Sequence, residues 1–87
     1  MQTKFNNRIL LCDDEEFCLT GLRVIMKSLG IDVDHKVDLS MSGKETLQFV
    51  NNATKLGVKY SMIITDIQMP EMSGIEMTKI LRQFFNN

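Results

Sequence analysis

The sequence has few cysteines, no excess of basic charge and no long apolar run. Its two cysteines, Cys12 and Cys18, are too few and too isolated for a disulfide framework or a zinc site, and they suit reduced packing residues. A formal net charge of −1 offers no concentrated basic face, so we expect no direct binding to nucleic acid or to a membrane surface. Residues 1–11 mix polar side chains with short apolar runs, which argues against a signal peptide or a spanning helix. We therefore expect a cytoplasmic protein.

What the sequence does contain is the composition of an ordinary globular domain. Of its 87 residues, 44% are hydrophobic and 24% are charged, which is enough for a core at the small end of the domain range. The chain has no internal repeat, low-complexity tract or linker. We interpret residues 1–7 as a polar leader and residues 8–87 as a single domain.

Three segments predict strands. Arg8 to Cys12 is almost continuously apolar, and Tyr60 to Thr65 contains a similar run, which is typical of strands buried within a parallel sheet. His35 to Leu39 is shorter and more polar, as suits an edge strand.

Three helices are predicted after these strands. The first ends at Gly30, and its apolar residues recur at three- and four-residue spacing; they are Cys18, Leu19, Leu22, Ile25, Met26 and Leu29. The second opens at a capping-box pattern, Ser42 with Glu45, and ends at Gly57. Its apolar face comprises Thr46, Phe49, Val50, Ala53 and Leu56. The third opens at the pattern Ser73 with Glu76 and continues through Met77, Ile80, Leu81 and Phe84.

Strands and helices therefore alternate, which predicts an α/β fold with a parallel sheet and right-handed crossovers. Two strands end in acids, because Asp13 and Asp14 follow the first strand and Asp66 follows the third. If these strands are neighbours, their ends lie about 5 Å apart and the three carboxylates share one crevice at the carboxyl edge of the sheet.

Three carboxylates in one crevice repel each other, by roughly 4 kcal/mol per close pair at the effective dielectric of a protein surface. A magnesium ion would offset this repulsion, because Mg²⁺ prefers oxygen ligands and typically binds one or two carboxylates together with a phosphate. The residues thus predict a metal-assisted phosphoryl site with Asp66 as the nucleophile that forms an aspartyl phosphate. Pro70 fixes the backbone after Asp66, so the loop could offer the main-chain carbonyl of Gln68 as a further ligand.

At these residues the chain resembles the receiver domains of two-component response regulators. The similarity rests on the acidic pair Asp13-Asp14, on the loop Asp66-Ile-Gln-Met-Pro-Glu-Met-Ser-Gly74 and on the Ser42-Gly43 step before the second helix. It implies a flavodoxin-like sheet whose strand order begins 2-1-3. It also implies that Asp66 accepts a phosphoryl group from a phosphohistidine of a histidine kinase or histidine phosphotransfer protein. The implied Mg²⁺ ligands are Asp13, Asp14, Asp66 and the backbone carbonyl of Gln68.

The sequence stops after the third predicted helix, whereas the family it resembles continues through two further strands, one ending in Ser or Thr and one in Lys. Lys79 does not replace that lysine, because it lies within the third helical pattern. We therefore expect the N-terminal part of a receiver domain, three βα units long, from a response regulator or hybrid histidine kinase. The third strand would then be a bare apolar edge that could pair with a second copy of the chain.

Two other functions stay open at this stage. A truncated receiver that binds its partner kinase through the first helix without switching would carry the same residues. A metal-dependent phosphatase is disfavoured, because such enzymes place a second Asp two residues after the nucleophile and Gln68 stands there. The remaining notable residues have structural interpretations: the lone His35 suits a surface group, and Met69 and Met72 suit packing over the loop.

Overall fold

The computed structural model describes residues 8–85, with the backbone alone for residues 84 and 85. It contains three strands: β1 (Arg8–Cys12), β2 (Val37–Ser40) and β3 (Tyr60–Thr65). It contains four helices: α1 (Glu16–Ser28), α2 (Val33–Lys36), α3 (Gly43–Lys55) and α4 (Gly74–Phe85). The predicted leader at residues 1–7 and the side chain of Phe84 lie outside the described residues.

The strands form one parallel sheet in the order β2-β1-β3, which confirms the predicted order. Residues 9–12 of β1 pair with residues 37–40 on one side and with residues 62–65 on the other. Within residues 8–85, β1 is therefore the central strand, and β2 and β3 are the two edges.

Each face of the sheet carries its own hydrophobic core. On one face, Leu10 and Cys12 of β1 pack with residues of α3, α4 and the loop before α4, namely Val50, Met69, Met77 and Leu81. On the other face, Leu11 packs with residues of α1, α2 and β2, namely Leu19, Met26, Val33 and Val37. Burial on both faces explains why β1 is apolar without alternation.

The predicted apolar face of α1 is partly wrong. Leu19 and Met26 are buried, whereas Ile25 and Leu29 are 56% and 74% exposed. The helix carries two overlapping apolar stripes, and only the stripe through Leu19 and Met26 faces the sheet. Spacing along the helix shows that both stripes exist but not which of them the sheet covers.

The second strand begins later than predicted. Residues 33–36 form the short helix α2, so His35 lies in this helix and not in the strand. The helical turn buries Val33 beside Val37, and its four residues are too few to show a helical period in the sequence. His35 is exposed, and its Nδ1 lies 3.1 Å from a carboxylate oxygen of Asp32.

The start of α3 has the predicted cap. The hydroxyl of Ser42 accepts a hydrogen bond from the backbone N–H of Glu45 at 3.0 Å. The Glu45 carboxylate reaches back to the N–H of Met41 at 2.7 Å, one residue earlier than in a standard capping box. These bonds fix the point at which α3 leaves the sheet.

A polar network joins the strands at the end of the sheet opposite the acidic residues. The Arg8 guanidinium of β1 donates to both carboxylate oxygens of Asp38 in β2, at 2.7 and 3.1 Å, and the Tyr60 hydroxyl of β3 donates to the same carboxylate at 2.6 Å. Desolvation, followed by the bond to Asp38, raises the pKa of Tyr60 well above its ordinary value. The network spans β2, β1 and β3, and it supports the register that aligns their carboxyl ends.

Candidate functional site

The predicted acidic residues meet at the carboxyl edge of the sheet. Cys12 of β1 pairs with Thr65 of β3, so Asp13 and Asp66 leave neighbouring strands. The N–H of Asp66 donates to the carbonyl of Cys12 at 3.0 Å, which continues the ladder one step beyond β3. Asp13, Asp14 and Asp66 each offer a carboxylate oxygen, and these oxygens all lie within 4.8 Å of one another. None of the three residues is buried.

The oxygens of this cluster could hold a hard divalent cation. Its atoms are carboxylate oxygens, which suit magnesium, calcium or manganese better than the softer metals. Because the residues are not buried, water can complete the coordination, as Mg²⁺ prefers. Gln68 lies exposed in the loop after Asp66, and coordination through its carbonyl stays a prediction.

The backbone around Asp13 holds its carboxylate toward the start of α1. The N–H of Asp13 donates to the carbonyl of Ser40 at 3.1 Å, which ties the end of β1 to the end of β2. One carboxylate oxygen of Asp13 accepts the N–H of Glu15 at 3.0 Å, a local turn that precedes the helix. Asp13 is thus fixed by the strand edge and by the turn together.

The loop from Asp66 to Gly74 is held against the start of α4. The hydroxyl of Thr65 donates to the Asp66 carbonyl at 2.9 Å, and the N–H of Gly74 donates to the Ile67 carbonyl at 2.8 Å. A Cβ at Gly74 would lie 2.2 Å from the Asp66 carbonyl oxygen, so only glycine permits this approach.

The capping box predicted for this helix is confirmed. The hydroxyl of Ser73 accepts the N–H of Glu76 at 3.1 Å, and the Glu76 carboxylate accepts the N–H of Ser73 at 3.2 Å. Both bonds satisfy donors that a helix start leaves without intrahelical partners. They fix the C-terminal end of the Asp66 loop.

Two methionines pack the loop onto the rest of the domain, as predicted. Met69 is buried with its sulfur 3.4 Å from the sulfur of Cys12, and Met72 packs against Gly43 at the start of α3. Between them, Glu71 adopts a positive φ of 69°, a conformation that is unfavourable for residues other than glycine or asparagine. The two packing contacts hold this turn in place.

A buried polar pair beneath the site was not identified from the sequence. Ser40 and Thr46 are fully buried, the Thr46 hydroxyl donates to the Ser40 hydroxyl at 2.8 Å, and the Ser40 hydroxyl donates to the Ser42 carbonyl at 2.9 Å. Thr46 does lie on the predicted inner face of α3, but it contributes a hydrogen bond as well as packing. The sequence features that could have indicated this pair are a serine at the end of a strand and a threonine on the apolar face of the following helix.

Cys18 lies beside the acidic cluster, with its sulfur 3.6 Å from a carboxylate oxygen of Glu15. Desolvation, followed by the negative charges of Asp13 and Glu15, raises the pKa of the Cys18 thiol. The raised pKa reduces the thiolate fraction near neutral pH, which disfavours Cys18 as a nucleophile. Its interpretation as a packing residue is consistent with this environment.

The fold and the site define a class: a parallel α/β domain with an acidic cluster at the carboxyl edge of its sheet. Residues 9–87 match the family described as the response regulator receiver domain. The chain belongs to this family. Receiver domains are signalling domains of two-component systems, and the family-level resemblance predicted from the sequence is confirmed.

Individual proteins show the same relationship. The chain is 30% identical over 76 residues to the osmosensing histidine protein kinase SLN1 of Saccharomyces cerevisiae, covering 87% of this chain and 6% of that protein. It is 34% identical over 82 residues to the chemotaxis protein CheV1 of Helicobacter pylori, covering 94% of this chain and 23% of that protein. The chain therefore spans less than a quarter of either relative.

A solved structure supports the flavodoxin-like fold. The crystal structure of a two-component transcriptional regulator AraC from Clostridium phytofermentans superimposes with a TM-score of 0.67 at 26% sequence identity. The match covers 93% of this chain and 60% of that one. Among residues 8–85, no helix has the length and apolarity that a membrane crossing requires.

Proposed function

We propose that this domain is a phosphoacceptor of a two-component phosphorelay, in which Asp66 accepts a phosphoryl group from a phosphohistidine of a histidine kinase or histidine phosphotransfer protein. The observation that carries the proposal is the cluster of Asp13, Asp14 and Asp66, whose oxygens lie within 4.8 Å of one another at the sheet edge. Relatives that include histidine kinases support the choice of donor.

Asp66 would act as the nucleophile. One of its carboxylate oxygens forms a bond to phosphorus while the phosphorus–nitrogen bond of the phosphohistidine breaks, and the electron pair of that bond returns to the imidazole nitrogen. The product is a mixed anhydride of carboxylate and phosphate. The close packing of Gly74 and the hydrogen bond from Thr65 hold the Asp66 backbone during this exchange.

Asp13 and Asp14 would hold Mg²⁺ together with Asp66 and the carbonyl of Gln68. The donor set fits this ion, because it consists of oxygens on residues that are not buried. When bound, Mg²⁺ neutralises negative charge on the transferred phosphoryl group and on the carboxylates. Asp13 is pre-positioned for this role by its bonds to Ser40 and Glu15.

The proposal has two further parts. Both cysteines are free thiols, which agrees with a cytoplasmic location.

Within residues 8–85, β3 pairs with β1 alone, and a groove of about 260 Å³ lined by Met62 and Leu81 among others runs along its open edge. Such an edge can pair with a second copy of the chain. No observation on the described residues favours a module that only binds its kinase.

A small phosphodonor tests the proposal directly. We expect incubation with phosphoramidate and Mg²⁺ to add about 80 Da to the intact mass, the increment of one phosphoryl group. The adduct should be labile to base, as an acyl phosphate is, and absent from the Asp66→Asn variant. The matched control is Asp34→Asn, which removes an exposed carboxylate of α2 away from the cluster and should keep wild-type labelling. An unlabelled wild type, or an unchanged adduct on Asp66→Asn, would contradict the proposal.

A further inference from the structure

We propose that Gly43 is a positioning residue for the Asp66 loop, because its missing side chain provides the space in which Met72 packs. The inference rests on the proposed function, since it concerns the residues that hold the phosphoacceptor in place. It assigns a role in phosphoryl transfer to a residue on a different strand–helix connection from Asp66.

The contact between Gly43 and Met72 leaves no room for a side chain. Gly43 is buried, and a Cβ placed on it would lie 2.9 Å from Sδ, 3.1 Å from Cγ and 3.2 Å from Cβ of Met72. The sulfur could move by rotation of the side chain. Cγ and Cβ of Met72 lie nearer the loop backbone, so relief of their contacts requires the loop itself to shift by a few tenths of an ångström.

The start of α3 is the more rigid partner in this contact. Ser42, directly before Gly43, has its carbonyl bonded by the Ser40 hydroxyl at 2.9 Å and its own hydroxyl bonded to the N–H of Glu45 at 3.0 Å. The buried Thr46 hydroxyl holds Ser40 in turn, at 2.8 Å. A clash at Gly43 will therefore displace the loop around Met72 and leave the start of α3 in place.

The same β2–α3 junction also positions the other half of the site. The carbonyl of Ser40 accepts the N–H of Asp13 at 3.1 Å. Asp13 is thus held to this junction through Ser40. The Asp66 loop is held to the same junction through the contact of Met72 with Gly43. Displacing Met72 shifts the loop that carries Asp66 relative to Asp13, and the rate of phosphoryl transfer depends steeply on the placement of the reacting atoms.

Helix propensity predicts that Gly43→Ala stabilises α3, whereas crowding at Met72 predicts slower labelling. The experiment therefore separates the two effects. Gly43 is the first residue of α3 and has no positive φ, so alanine is compatible with its backbone and favours the helix. A loss of labelling in Gly43→Ala therefore cannot be attributed to helix propensity or to backbone strain at position 43.

The test is a double-mutant cycle of Gly43→Ala and Met72→Ala, with phosphoramidate and Mg²⁺ as the probe and thermal melts recorded for each variant. We expect Gly43→Ala to lower the maximal labelling rate by about tenfold or more, with little change in the half-saturating donor concentration. The double variant should recover to within about threefold of Met72→Ala, because alanine at position 72 removes the Sδ and Cγ contacts at 2.9 and 3.1 Å and keeps only the Cβ contact at 3.2 Å. Gly21→Ala, where a Cβ meets nothing within 4 Å, is the matched control and should label like the wild type.

The outcomes separate this inference from the proposed function. A wild-type rate in Gly43→Ala, or a Gly43→Ala effect as large in the Met72→Ala background as in the wild type, overturns the positioning role while leaving Asp66 as the acceptor. If Gly43→Ala does not melt cooperatively, the double variant decides: a restored melt and rate support the role, and a second failure to fold overturns it. An unlabelled wild type defeats the proposed function itself.

Discussion

Removing one carboxylate from the acidic cluster should stabilise the metal-free domain and weaken its response to Mg²⁺. At 4.8 Å, the upper bound on the separation of the cluster oxygens, two unit charges repel by about 3.5 kcal/mol at an effective dielectric of 20 and by about 0.9 kcal/mol in bulk water. Because none of the three residues is buried, screening brings the value toward the lower limit. Asp14→Asn removes two of the three pairwise repulsions.

We therefore expect Asp14→Asn to be more stable than the wild type in EDTA by about 1–2 kcal/mol. With about 10 mM Mg²⁺ the difference in unfolding free energy between the two proteins should become smaller or change sign. The wild type gains free energy from Mg²⁺ binding, and the variant has partly lost that gain. Urea denaturation of both proteins under both conditions measures the four free energies of unfolding.

The matched control for this experiment is Glu16→Gln. Glu16 is an exposed acid in the first turn of α1 and is not part of the cluster. Its removal should cost a few tenths of a kcal/mol at most, roughly the value of a charge at a helix start, and leave the Mg²⁺ response unchanged. An Asp14→Asn variant that is less stable in EDTA, or that gains as much from Mg²⁺ as the wild type, would refute the electrostatic account of the site.

Two further substitutions test the loop and the sheet edge. Gly74→Ala should destabilise the domain by about 2 kcal/mol or more, because its Cβ would lie 2.2 Å from the Asp66 carbonyl oxygen; in the same urea assay Gly21→Ala should be neutral or stabilising, and equal effects of the two would contradict the packing argument. Met62 lies on the edge strand β3 and is 52% exposed. Met62→Lys places a charge on this edge and should lower any concentration-dependent increase in mass seen by light scattering. A control change at the similarly exposed Met41, to Lys, should leave the mass unchanged, and a wild type that is monomeric at every concentration would remove the proposed dimer.

Much of the architecture follows from local patterns in the sequence. Continuous apolar side chains predict β1 and β3, and the bounds Arg8–Cys12 and Tyr60–Thr65 are confirmed. Burial on both faces explains the pattern of β1, whereas β3 is an edge strand with no buried residue. Asp13 and Asp66 lie close together because neighbouring parallel strands end at the same edge of the sheet. Two acidic strand ends predict the cluster once the strand order 2-1-3, which the family resemblance implies, makes these strands neighbours.

What the sequence does not predict depends on tertiary packing. The face of α1 is decided by the sheet, which buries Leu19 and Met26 and leaves Ile25 and Leu29 in solvent. The bond between the Ser40 and Thr46 hydroxyls requires two residues on different elements to meet, and no spacing along the chain encodes that meeting. The contact of Gly43 with Met72 has the same origin, because 28 intervening residues separate the two positions.

The most direct test of the account is to locate the phosphoryl group on the chain. After labelling with phosphoramidate and Mg²⁺, the acyl phosphate can be reduced with borohydride and its position read by peptide mass spectrometry. The account predicts a single modified residue, Asp66, with labelling that falls when Mg²⁺ is removed by EDTA. Modification of a different carboxylate such as Asp13 or Asp14, or labelling that EDTA does not affect, would contradict it.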